Sequence, residues 1–183
     1  WEREIPSQPG FNYLEMFNKI LEGKIKALYV FGEDPFLTLP NLERLKHGLQ
    51  ELELLVVQDL FMSHIGNYAH VVLPGTSFAE KDGTFTNTER RIQRVRQATR
   101  PPGEAQTDSW IITQLANRLI HIGAASPAVE APYAGWAYGP AADIMAEINQ
   151  LTPIYAGVTY QRLAAGEQLQ WPVPSLDHPG TPV

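Results

Sequence analysis

Three polar stretches of this chain carry side chains able to do chemistry: Gly32-Glu33-Asp34-Pro35, Asp59 with Ser63, and the run from Glu80 to Arg100. Gly32 directly follows the apolar segment IKALYVF, so it can bend the chain sharply and bring backbone amides near a phosphate. Asp59 ends a second apolar segment, LLVVQD. A carboxylate at the tip of a buried strand can accept two hydrogen bonds from a ribose diol, each about 1.5–3 kcal/mol because the acceptor is charged. Each feature also has an ordinary use: a tight strand-to-helix turn for the tetrapeptide, and a helix cap for Asp59 and Ser63. The chain contains no GxGxxG, which argues against a NAD-type diphosphate loop.

The third stretch is less pointed. Glu80, Asp82 and Glu89 sit among Gly, Thr and Asn, a setting that suits solvated charges better than a catalytic carboxylate pair. Arg90, Arg91, Arg94, Arg96 and Arg100 can face cofactor phosphates, a partner subunit or water. The five histidines, His47, His64, His70, His121 and His178, form no i, i+4 pair and no HExxH, so the sequence offers no protein-built metal site.

Positioning these groups requires an open α/β sheet. Tyr13 to Leu21 spaces Leu14, Phe17, Ile20 and Leu21 as an amphipathic helix, stopped by Gly23. Ile25 to Phe31 predicts a strand covered on both faces. Asn41 caps a helix whose inward stripe is Leu42, Leu45, Leu49 and Leu52. Leu54 to Val57 is a second strand with Gln58-Asp59 at its C-terminal edge, Ser63 caps a short helix through Tyr68, and His70 to Leu73 is a third strand ended by Pro74. The alternation predicts parallel strands with ligands at their C-terminal ends, which points to residues 32–36 and 59–63.

Further on, residues 75–90 read as an ordered loop, Ile92 to Gln97 as an edge strand, and Thr107 or Asp108 as the start of a helix to about Ile120 with Ile111, Ile112, Leu115 and Leu119 inward. Ser126 to Pro140 reads as a Pro-rich loop, Ala141 to Leu151 as a helix, and Gly157 to Ala164 has no clear preference. The fold class is therefore α/β, three-layered, with a mainly parallel sheet and helices on both faces. Residues 1–170 form one α/β domain and the Pro-rich residues 171–183 a linker. Both ends read as cut, Trp1 being no start residue, so the chain is expected to be a piece of a longer protein.

Composition narrows the function. A net charge of −6 opposes nucleic-acid binding, and no apolar run approaches the ~20 residues of a membrane span. Zero cysteines exclude thiolate nucleophiles, iron–sulfur ligation and Cys-based zinc sites within this chain.

Taken together, GEDP at 32–35, VVQDLFMS at 56–63, AHVVLPGTSFAEKDGTFTNTERRIQ at 69–93 and QWPVPSLDHPGTP at 170–182 resemble the molybdopterin oxidoreductases. Within them the chain is most similar to the formate dehydrogenase catalytic α subunit. The resemblance spans nearly the whole chain and is weakest over 124–150. It implies the dinucleotide-binding α/β domain of the DMSO reductase and formate dehydrogenase type. The implied cofactor is molybdopterin guanine dinucleotide with Mo or W, and iron–sulfur clusters belong to other parts of the subunit. Carried over by position, Gly32, Glu33 and Asp34 would line the nucleotide, Asp59 would hold the guanosine, and Ser63 would stand near it. Glu80, Asn87 and Arg91 would shape the loop or approach the cofactor.

No catalytic or metal-binding residue is expected in this segment, which would be inactive alone. The implied partners are the rest of the subunit and electron-transfer subunits with iron–sulfur or flavin groups, with NAD as an expected final acceptor. The implied location is cytoplasmic. Alternatives are another molybdopterin oxidoreductase, such as assimilatory nitrate reductase or the NADH–quinone oxidoreductase large subunit, or a non-catalytic α/β interaction module.

Overall fold

The computed structural model describes residues 7–123 and 136–182. The chain forms two compact units that divide after Gly75.

The first unit begins with α1 (Tyr13–Leu21), where Asn12 and Glu15 form a reciprocal capping box: Glu15 N donates to Asn12 Oδ1 (2.9 Å) and Asn12 N to Glu15 Oε2 (3.1 Å). Gly23, at φ +69°, closes it: Gly23 N donates to Ile20 O (2.8 Å) and Lys24 N to Lys19 O (2.9 Å). Strand β1 (Ala27–Phe31) leads into a single turn, α2 (Pro35–Thr38), and then α3 (Leu42–Gln50), capped by Asn41 Oδ1 accepting from Arg44 N (3.0 Å). Strand β2 (Leu54–Asp59), a 3-10 turn (Ile65–Tyr68) and β3 (Val71–Pro74) complete the unit.

Pairing is parallel throughout, in the order β1-β2-β3, as the alternation of elements predicts. The register matches Leu28 with Leu55 and Val30 with Val57. These side chains meet Phe17 and Ile20 of α1 and Leu45 and Leu49 of α3 in one core that also takes in Leu52 and Ile65. Leu42, expected inward, stays 40% exposed because it sits on the first turn of α3. The other face of β1 differs from expectation too. Tyr29 and Phe31 are 37% and 49% exposed, since α1 and α3 supply the core of one face only.

In the second unit, residues expected as a loop instead hold β4 (Gly83–Thr86), which pairs antiparallel with β5 (Ile92–Val95). The missed signal is the Thr/Phe alternation of GTFT, hidden by its glycine and by the polar turn behind it. Helix α4 (Asp108–His121) starts on the Thr107 cap as predicted. Of its expected inward residues only Ile111 is buried, and Ile112, Leu115 and Leu119 are exposed. Helix α5 (Ala141–Leu151) matches the periodicity, and α6 (Tyr160–Ala164) resolves the undecided segment. Most of the expected 126–140 loop lies outside the described residues.

The core here joins Ile92, Met145, Val158, Leu163, Leu169 and Val173. The Pro-rich stretch after 170, expected to lead onward as a linker, also packs into it. Val173 has no exposed surface, Ile92 N donates to Leu169 O (2.9 Å), and Trp171 N donates to Arg90 O (2.8 Å). Arg162 holds the stretch with Nη1 on Gly157 O and Nη2 on His178 O, both at 2.8 Å. No helix among the described residues is long and apolar enough to cross a membrane.

Three substitutions test this packing. Leu55→Ala, at a fully buried site, should cost about 2–5 kcal/mol in urea unfolding, whereas Leu37→Ala, on the surface, should stay within about 0.5 kcal/mol. A Cβ at Gly157 would stand 1.9 Å from Ser175 O, so Gly157→Ala should free residues 171–182 and expose them to limited proteolysis. An unchanged cleavage pattern would contradict the packing described.

Candidate functional site

The ends of β1 and β2 come to the same edge of the sheet because Phe31 pairs with Gln58. Gly32 N then donates to Gln58 O (2.9 Å), extending the ladder one residue into the turn. Gly32 has φ +60°, a conformation glycine adopts without penalty and other residues adopt with strain. The bend therefore stands beside Asp59, and all five residues singled out by sequence belong to this one rim of the first unit.

Their side chains are used differently. Asp34 Oδ1 accepts from Phe36 N (3.1 Å), which caps α2. Asp34 Oδ2 accepts from His64 N (2.9 Å) and lies 2.8 Å from His64 Nδ1. The Asp34 side chain is only 9% exposed. Glu33 Oε1 accepts from Thr38 Oγ1 (2.8 Å), and Thr38 Oγ1 lies 3.1 Å from the Tyr13 hydroxyl. Both acids of the turn are thus engaged by protein groups. With the Asp34 carboxylate filling the start of α2, a phosphate at those amides would meet like charge.

Asp59 is half-buried, and its carboxylate takes one hydrogen bond among the described residues, from Leu60 N to Oδ1 (2.7 Å). Its carbonyl holds Gly75 N (3.0 Å), which anchors the end of β3. Ser63 does not cap the following turn: His64 stands at the cap position, and the turn has no side-chain cap bond. The Ser63 hydroxyl is instead buried with no hydrogen-bond partner. A buried hydroxyl without a partner costs about 1–3 kcal/mol, so the rim holds an unmet polar demand. Between them, Leu60, Phe61 and Met62 are exposed, Phe61 by 80%.

Sequence reasoning missed His64. Its link to Asp34 spans two loops far apart in the chain, and no local spacing signals it. In the second unit the polar loop residues serve the hairpin. Glu80 Oε2 accepts from Ser77 N (2.9 Å), and Asn87 Oδ1 accepts from Arg91 N (2.9 Å). Arg90 takes φ +65° to close the turn. Arg94 bonds Asp82 and Gly83 O and lies over the Tyr160 ring at 4.3 Å. No group of three or more metal-ligating side chains occurs among the described residues.

Comparison with known proteins shows the family and the fold. The model of the molybdopterin oxidoreductase family matches residues 2–118. The chain belongs to the molybdopterin oxidoreductase family. It is 45% identical over 173 residues to the probable oxidoreductase YjgC of Bacillus subtilis, covering 94% of this chain and 16% of that protein. It is 39% identical over 183 residues to the F420-dependent formate dehydrogenase 1 subunit alpha of Methanococcus maripaludis, covering 100% of this chain and 25% of that protein. The chain thus spans a quarter or less of the length of these relatives. Acetylene hydratase from Pelobacter acetylenicus shares the fold, with a TM-score of 0.60 at 20% identity over 80% of this chain and 19% of that one. The family implies a molybdopterin cofactor. An open carboxylate and an unsatisfied hydroxyl on a strand-end rim fit the polar portion of such a group.

The Asp34 cluster gives this family member a pH-sensitive rim. Burial raises the Asp34 pKa, but the hydrogen bonds from His64 and Phe36 outweigh it and hold the carboxyl below its ordinary value of 3.8. A carboxyl depressed in the folded state stabilises above its ordinary value, and that stability is lost as pH falls through the lower folded value. The Phe36 amide resonance should therefore shift as the pH falls below the ordinary carboxyl value, and Asp34→Asn should abolish that transition. A Phe36 amide unmoved by acid in the unsubstituted protein would refute the assignment.

Proposed function

We propose that this chain is the part of a formate dehydrogenase catalytic subunit that binds the guanine nucleotide portion of a molybdopterin guanine dinucleotide. The observation that carries the reading is the pairing, on one strand-end rim, of the sparsely bonded Asp59 carboxylate with the partnerless Ser63 hydroxyl. Each is a polar group short of a partner, and their position after a strand's C-terminal end, where open α/β sheets commonly take nucleotides, supports the reading. Support for formate as substrate comes from the relatives named formate dehydrogenase, at 39% identity in the Methanococcus maripaludis protein.

When bound, the cofactor supplies the Mo or W centre that takes two electrons from formate as CO₂ forms. This chain contributes no thiolate to that centre, having no cysteine. Its part is to bind and orient. Asp59 accepts from the ribose or base donors of the nucleotide, Ser63 satisfies its hydroxyl on a neighbouring polar atom, and Gly32 lets the backbone approach closely for want of a Cβ. Glu33 and Asp34 shape the turn. Electron-transfer partner subunits and a cytoplasmic setting belong to the same proposal and rest on the resemblance alone.

The test uses the intact subunit. Asp59→Ala removes a charged acceptor worth about 1.5–3 kcal/mol, so nucleotide affinity should fall about 10- to 150-fold. Metal content and GMP released on acid hydrolysis should both drop in the purified variant. Wild-type content of both would refute the role of Asp59.

A further inference from the structure

We infer that Asp34 is a positioning residue, a clasp that sets the distance between the Gly32 turn and the Asp59–Ser63 loop. The loop from Leu60 to His64 is held at its end by the turn that follows, where Gly66 N donates to Ser63 O (3.1 Å) and Asn67 N to His64 O (3.2 Å). Within it, Leu60 N bonds the Asp59 carboxylate and Ser63 N bonds Phe61 O (2.8 Å), while Leu60, Phe61 and Met62 lie exposed. Among the described residues, the hydrogen bonds that tie residues 33–40 to residues 60–70 are the two from His64 to Asp34 Oδ2. One of them comes from a backbone amide, so it fixes the main chain directly after Ser63 rather than a mobile side chain.

The same carboxylate caps α2 through Phe36 N, and the Phe36 ring stacks on Tyr68 at 5.3 Å and 24°. Asp34 therefore joins the start of α2 to the start of the 3-10 turn, and Phe36 with Tyr68 closes the far end of that turn. Ser63 sits directly before the clasped amide, with its hydroxyl held out of solvent and unpartnered. A group positioned this way presents its bonding capacity without ordering cost when a ligand arrives.

The geometry separates the roles of the two partners. His64→Ala deletes the ring contact and keeps the amide bond, so half of the link persists. Asp34→Asn is nearly isosteric, but its single acceptor oxygen cannot serve Phe36 N and His64 N together, and Asp34→Ala removes both bonds. The inference rests on the nucleotide reading for its consequence, and the experiment has one readout for each. In the intact subunit prepared without cofactor, amide hydrogen exchange should rise about tenfold at residues 60–66 in Asp34→Asn and less in His64→Ala, with β2 unaffected. In subunit prepared with cofactor, Asp34→Asn should lower GMP and metal content together.

Unchanged exchange at 60–66 in folded Asp34→Asn and Asp34→Ala variants alike would overturn the clasp. Faster exchange with wild-type cofactor content would overturn its role in positioning. Faster exchange in Asp34→Asn, with cofactor content insensitive to Asp59→Ala as well, would sustain the clasp and sink the nucleotide reading instead.

Discussion

The parallel register of β1 on β2 governs everything at the candidate rim. Because Phe31 lies opposite Gln58, the next backbone bond runs from Gly32 N to Gln58 O, and the bend leaving β1 is locked beside the acid that ends β2. Shifting that register by one residue would turn Leu55 and Val57 out of the core and carry Asp59 away from the bend. The apolar alternation of two strands thus fixes a polar constellation at their ends.

On that rim the acidic groups divide by what they already touch. Asp34 and Glu33 have protein donors and serve the turn itself. Asp59 retains acceptor capacity, and Ser63 is left with an unsatisfied buried hydroxyl. Native proteins rarely leave such atoms unpaired, because desolvation without a replacement bond is costly. The proposed nucleotide would supply the missing partner. The arginines of the second unit show the contrary pattern: Arg90, Arg91 and Arg94 spend their donors on Thr181 O, Gln168 and Asp82 respectively. Those three hold a hairpin and a packed tail, whereas Arg96 and Arg100 are exposed.

Much of the fold can be read from local pattern. Asn41 and Thr107 announce helix starts through their capping oxygens, Gly23 announces a stop, and the short apolar runs at 25–31 and 54–57 read as parallel strands. Where the reading failed, the cause was distance along the chain. Strand β4 is short and forms only by pairing with β5, while the Pro-rich residues after 170 read as a linker because Val173 finds its core partners only after folding. Ile112, Leu115 and Leu119 have helical spacing, but spacing alone does not say what covers them.

The sequence by itself determined the elements and the positions of Gly32 and Asp59, since strand ends and bends follow from neighbouring residues. It also determined the family, through motifs contiguous in the chain. Only the tertiary structure decided which polar groups at the rim are committed and which are open. The bond from His64 to Asp34, the idle hydroxyl of Ser63 and the clasp they define depend on two loops brought together by a shared sheet edge. Sequence spacing carries no record of such contacts, because hydrogen bonds between loops are set by where strands end in space.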